Sequence, residues 1–154
     1  MIEVKEKKTK KIFVEGPISP SFIAESIAKH STKKDIGAHQ IFLGQIRSDK
    51  IEGKTVQAIE FTAYREMAEE KYTEIRETIF EKHKITCMHV YHSLGQIEAG
   101  EINLFVFISA PHRKEAMEAC REMVECIKTD LPIWGRVKFE NDFHDWKKNQ
   151  SIKI

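Results

Sequence analysis

No stretch of this chain approaches the ~20 apolar residues that a membrane-crossing helix needs, so no membrane partner is expected. Cysteine is scarce: Cys87, Cys120 and Cys126 form an odd set with no CxxC spacing. That argues against a disulfide framework and fits a reducing compartment. Net charge is almost absent, with 25 Lys+Arg against 24 Asp+Glu. A preference for anions must then come from local clustering rather than from the field of the whole molecule. The opening MIEVKEKKTKK lacks the apolar centre of a signal peptide, and a cytoplasmic location is expected. There is no internal repeat. No glycine-rich phosphate loop follows a strand, which argues against nucleotide-binding folds.

What remains is an ordinary globular composition, 41% hydrophobic and 32% charged over 154 residues. That length suits one domain able to bury a core without staples. Residues 1–10 read as a basic N-terminal segment, 11–146 as a single domain and 147–154 as a tail.

Periodicity divides the domain into elements. Lys11–Glu15 reads as a strand. Ser19 is placed to cap a helix Pro20–His30, with Pro20 at its first position, burying Phe22, Ile23 and Ile27. Ala38–Ile46 reads as a strand and Arg47–Lys54 as a polar loop. Thr55–Ala63 alternates as a strand. Arg65–Lys82 carries an apolar stripe of Met67, Tyr72, Ile75 and Ile79, with Glu66, Glu69, Glu70 and Lys71 facing water. Ile85–His92 is a strand, and Gly95 and Gly100 bracket a turn. Ile102–Ala110 is a continuous β-favouring apolar run, expected to be covered on both faces. Ala116, Ala119, Cys120, Met123 and Ile127 give His112–Asp130 helical spacing. Arg136–Phe143 reads as a last strand, with Trp146 in a polar tail. The order predicts an α+β sandwich.

Four constellations have chemical potential. His112-Arg113 opens a helix, where free N–H groups attract anions. Arg113 adds a forked donor for phosphate, and His112 can move a proton near neutral pH. The bland alternative is a surface pair in a loop. Lys128 closes the same helix, followed by Leu131-Pro132-Ile133-Trp134. A lysine there is ordinary, because its charge offsets the helix dipole, and Trp134 is ordinarily core packing. Arg47 stands where a strand meets a polar loop, a common place for binding residues. His83, Cys87, His89 and His92 fall within ten residues. Strand alternation puts only Cys87 and His89 on one face, so no metal is expected there.

One inference follows from helix geometry alone. His112 and Lys128 lie 16 positions apart, ~24 Å along an α-helix. A small molecule does not readily touch both ends. A two-fold dimer with a composite pocket would bring them to one site.

The same residues resemble the large, catalytic subunit of molybdopterin synthase, the MoaE family, from about Lys11 to Trp146. Gly37-Ala38 with Phe42, Gly44 and Arg47 matches the family's GA…F.G..R strand and loop. Glu60–Ala68 (EFTAYREMA) matches its E-Y-x-x-M-A segment. His92, Gly95, Gly100 and Glu101 match its H-x-x-G…GE turn. His112-Arg113, Ala116, Ala119, Cys120, Lys128 and Pro132-Ile133-Trp134 match its most distinctive stretch.

The resemblance implies an α/β hammerhead-type fold with a small antiparallel β subdomain. It also implies a homodimer of large subunits within a heterotetramer. The implied partner is a small ubiquitin-like sulfur carrier whose C-terminal Gly-Gly thiocarboxylate enters the pocket. The implied reaction moves two sulfurs to cyclic pyranopterin monophosphate, forming the dithiolene of molybdopterin. Lys128 would be catalytic. Arg47, His112 and Arg113 would hold the substrate, with Arg136 standing in for a second lysine. No cofactor, metal or nucleic acid is required. The chain departs from the pattern at Gly135, where many members carry that lysine, and at Ser93, where many carry arginine. A further C-terminal basic residue of the family has only Lys147 or Lys148 as counterparts. A relative that binds the carrier or an anion without catalysis is the alternative. An RNA-binding module using KEKKTKK and Lys147-Lys148 lacks interleaved aromatics.

Overall fold

The computed structural model describes residues 8–140 and 151–153. Trp146, Lys147 and Lys148, and with them the expected boundary at 146, lie outside the described residues. In chain order the elements are β1 (Phe13–Glu15), α1 (Pro20–Lys29), β2 (Ala38–Gln45), β3 (Lys50–Ile51), β4 (Lys54–Ala63), α2 (Arg65–Lys82), β5 (Cys87–Glu98), β6 (Ile102–Ala110), α3 (Arg113–Asp130), β7 (Ile133–Phe139) and β8 (Ser151–Lys153).

The α+β expectation holds. The strands run in the order β2-β6-β5-β4-β7-β8, with β1 added to β5 and β3 to β4. All pairings are antiparallel except β1 with β5. Strand β5 joins two parts of the sheet. Its first half, Cys87–His92, pairs with β6. Its second half, Gly95–Glu98, pairs with β4, which carries β7 on its other edge. The second part is the small antiparallel unit that the resemblance implied.

The central strand β6 is buried on both faces, as its composition requires. Leu104, Val106 and Ile108 face α2 and α3, packing with Tyr72, Ile79, Met123 and Ile127. Phe105 and Phe107 face α1 through Ile18 and Ile23. Ser19 caps α1 by accepting the Phe22 N–H at 3.2 Å. No helix among the described residues is long and apolar enough to cross a membrane.

Several expectations change. The polar loop 47–54 contains a small hairpin, β3 to β4, turning at Glu52 and Gly53, both at positive φ. Strand β5 continues past Gly95, and β7 begins at Ile133 rather than Arg136. On α1, Ile27 is exposed rather than buried. On α2, Met67 is exposed and Glu69 is buried. Glu69 turns inward because its carboxylate accepts the Ile12 N–H at 2.7 Å, satisfying a backbone donor that would otherwise be costly to bury.

Candidate active site

Helix α3 ends where the two parts of the sheet meet. A cavity of about 470 Å³ opens there, lined by Lys128, the end of β2 through Arg47, Asn103 of β6, Phe61 of β4 and Val137 of β7. Two residues singled out in the sequence, Lys128 and Arg47, therefore share one cavity. Lys128 is half-buried, and loss of water holds its ammonium pKa below the ordinary lysine value, with Glu125 acting in the opposite direction. Among the described residues no carboxylate pairs with that ammonium. Arg47 is largely exposed and bridges to Asp49 at 3.2 Å. Such a surface pair is weak and leaves the guanidinium available.

His112 and Arg113 lie at the other end of α3, both exposed. His112 is the N-cap, and its side chain makes no capping bond. The helix runs unbroken from Arg113 to Asp130, so within one chain the pair stays a helix length from Lys128 and does not line the cavity.

Arg136 is also outside the lining. Residues on β7 alternate, and Gly135 and Val137 face the cavity side. Arg136 and Lys138 face away, holding Glu60 at 3.1 and 2.9 Å. These cations keep the Glu60 carboxyl below its usual range, Lys138 more than Arg136.

The structure gives a physical reason for Gly135. A Cβ there would lie 2.7 Å from Ile59 Cγ2 and 3.3 Å from Phe61 Cε1. The apolar pair fills the space through which a side chain at this position would leave the strand. Gly135→Ala is therefore expected to lose about 1–3 kcal/mol through overpacking. Urea unfolding should show a lower midpoint at unchanged slope; an unchanged midpoint would refute the steric account.

Beneath the cavity lies His92, fully buried, with its ring 5.3 Å from that of Phe61. Its Nδ1–H donates to the Ser93 carbonyl at 2.8 Å, and Nε2 has no partner. Burial pushes its pKa from 6.5 down to about 4, with the Lys128 charge adding to the effect. The unfolded chain takes up this proton near pH 6.5, whereas the folded chain refuses it until about 4. This contribution to stability is complete above pH 6.5 and is lost as pH falls through 4, by about 3 kcal/mol in all. His92→Leu should flatten the stability profile across that window in denaturant titrations. A slope matching the parent's would show that other groups carry the acid sensitivity.

Sequence reasoning missed Asn103, which is buried and lines the cavity. The available signal was a lone amide within the apolar run INLFVFISA. Trp134 packs edge-on against Tyr64 with ring centroids 5.0 Å apart. His92 lies on the opposite face of β5 from His89, as alternation required. His83 instead binds Glu122 at 2.7 Å.

A family model described as "MoaE protein" matches residues 15–130. A Pyrococcus abyssi protein named molybdopterin synthase catalytic subunit is 36% identical over 79% of this chain and 81% of its own length. An Oryza sativa subsp. indica protein of the same name is 37% identical over 75% of this chain, which spans 59% of that longer relative. Among solved structures, molybdopterin synthase from Staphylococcus aureus matches with TM-score 0.75 and 28% identity, covering 92% of this chain and 94% of that one. The complex of subunits 1 and 2 of molybdopterin-converting factor from Helicobacter pylori matches with TM-score 0.74 and 18% identity, covering 93% and 88%; this second likeness concerns the fold. The chain belongs to the MoaE family.

Proposed function

We propose that this chain is the large subunit of a molybdopterin synthase. In this reading it moves sulfur from the C-terminal thiocarboxylate of a small ubiquitin-like carrier to cyclic pyranopterin monophosphate. The observation that carries the reading is the half-buried Lys128, unpaired by carboxylate among the described residues, in a cavity it shares with Arg47. The relatives named molybdopterin synthase catalytic subunit support an enzyme of molybdopterin biosynthesis.

The chemistry suits this arrangement. The thiocarboxylate sulfur bonds to a carbon of the substrate as a carbon–oxygen bond there breaks; that oxygen leaves on the phosphate as the cyclic ester opens, and the carrier stays joined through an acyl–sulfur bond. Water then attacks the acyl carbon, and its oxygen becomes an oxyanion. The carbon–sulfur bond breaks, sulfur stays on the substrate, and the carrier leaves as a carboxylate. A second carrier adds sulfur in the same way at the neighbouring carbon, whose oxygen leaves as water, and the dithiolene is complete. Lys128 stabilises the oxyanion or supplies a proton to the departing sulfur. Partial exclusion of water strengthens this interaction.

Arg47 holds the substrate's phosphate, and His112-Arg113 of a second copy complete the grip. Arg136, tied to Glu60 on the far side of β7, contributes positive charge from outside the cavity lining. The exposed Leu43 and Ile51 beside the cavity offer apolar surface to an extended tail. The carrier's tail would thread past them, and the large subunits would pair within a heterotetramer.

Reconstitution tests the reading. The protein is mixed with thiocarboxylated carrier and cyclic pyranopterin monophosphate, and the oxidised pterins are separated. Dithiolene product is expected. Carrier binding without product would favour the non-catalytic alternative.

A further inference from the structure

On the sheet face opposite α3, one strand and one helix end bring together a set of nitrogen and sulfur donors. Cys87 and His89 project from β5 toward α1, in cross-strand register with Ser109 and Phe107 of β6. His30, the C-cap of α1, descends onto them. Its Nε2 lies 3.1 Å from His89 Nε2, with the two rings crossed at 74°. The Cys87 sulfur and one ring nitrogen of each histidine all lie within 4.8 Å of one another. His30 and Cys87 are buried, and His89 is half-buried.

We propose that His30, Cys87 and His89 form a zinc site with one open position. A tetrahedral zinc with the usual bond lengths separates two imidazole nitrogens by about 3.3 Å, and a nitrogen and a thiolate by about 3.6 Å. The two histidines already stand at the first spacing. The sulfur, within 4.8 Å of its partners, needs a shift of about one ångström at most, within the reach of a χ1 adjustment.

The surroundings favour ligation. His30 Nδ1 donates to the Ser26 carbonyl at 2.7 Å. That fixes the tautomer whose Nε2 lone pair points at the cluster, as the outer hydrogen bond of a metal-binding histidine does. Borderline-soft zinc matches a mixed nitrogen and sulfur set. Lys33 donates to the sulfur at 2.9 Å from an exposed position, and its long side chain can withdraw into water when metal takes the sulfur. His39 is exposed and already bonded through Nδ1 to Ser109 Oγ at 2.6 Å. The fourth position therefore falls to water.

Protons balance on entry. Without metal, the His89 Nε2–H donates to the His30 Nε2 lone pair. With zinc, that proton moves to His89 Nδ1, and the Cys87 thiol proton leaves to solvent. The site lies across the sheet from Lys128 and is independent of the sulfur-transfer reading.

The test uses the full chain, free of any histidine tag and stripped with chelator. Zinc titration against a chromophoric chelator, with elemental analysis, should give one zinc per chain. At zinc 100-fold above Kd the thermal midpoint should rise by roughly 5–10 °C. Cobalt should give a cysteinate charge-transfer band. Cys87→Ser should lose that band and weaken zinc binding by roughly 100-fold or more, while Cys126→Ser keeps both. His89→Gln provides the same reading should Cys87→Ser not fold, as judged by its metal-free circular dichroism. Substoichiometric zinc in the parent would overturn the proposal, and so would equal affinity in the ligand variants.

Discussion

Lys128→Ala is expected to lower dithiolene formation by roughly 10²–10³-fold, the loss that follows removal of one preorganised oxyanion donor. The fold should survive. Lys128 sits in the last turn of α3 and, among the described residues, no carboxylate pairs with it, so the change removes mainly the helix-end charge effect, about 0.3–1 kcal/mol. Single turnover with thiocarboxylated carrier, followed by separation of oxidised pterins, measures the loss. Circular dichroism and urea unfolding measure the fold. Lys128→Arg separates two roles: it keeps the positive charge but cannot readily give up a proton. Activity retained by arginine would assign charge stabilisation, and activity lost would assign proton donation. The pH dependence adds a sign. Because burial lowers the Lys128 pKa, the ammonium disappears at lower pH than an ordinary lysine. Turnover should then fall on the alkaline side earlier than an unperturbed lysine allows, and Lys128→Arg should remove that limb. Near-normal turnover by Lys128→Ala would remove this residue from the mechanism.

A second large effect is expected from mixing two inactive variants. If Lys128 of one copy works with His112-Arg113 of another, the Lys128→Ala chain and a His112→Ala/Arg113→Ala chain complement each other. A mixed dimer holds one site with every residue intact and one site lacking all of them. Random assortment makes about half of the dimers mixed, so activity should return to about one quarter of the parent's. Each variant alone should stay near background. Co-expression with two tags, followed by tandem purification, isolates the mixed dimer and raises the expected value to about one half. Failure of the purified mixed dimer to regain activity would mean that the two ends of α3 do not meet in one site.

Much of the fold was legible because its signals are local. The stripe on α2 and the 3/4 spacing on α3 placed both helices, and the apolar run of β6 placed the central strand. The departures arise from partners distant in sequence. β3 is two residues long and, among the described residues, pairs with β4 alone. β5 continues through Gly95 because β4 offers a new edge. β7 begins at Ile133 because Ala63 pairs with it, although Pro132 reads as a stop. Glu69 is drawn inward by a backbone donor 57 positions away.

The candidate site divides in the same way. Lys128 and Arg47 were visible as cations at element ends, and the fold places them on one cavity. Asn103 appeared only as an oddity in an apolar strand. The sequence reading grouped Cys87 and His89 with their sequence neighbours and set a metal aside. Their structural neighbour, His30, lies 59 positions from His89 and enters from another element.

The contact between Gly135 and Ile59 also constrains how such a chain can change over generations. A lysine arriving at position 135 would meet a closed wall and be selected against, whatever its chemical merit. A smaller residue at position 59 must come first, or arrive together with it. The two positions form an ordered pair in which one substitution opens the way for the other, and the present glycine is kept in place by its neighbour.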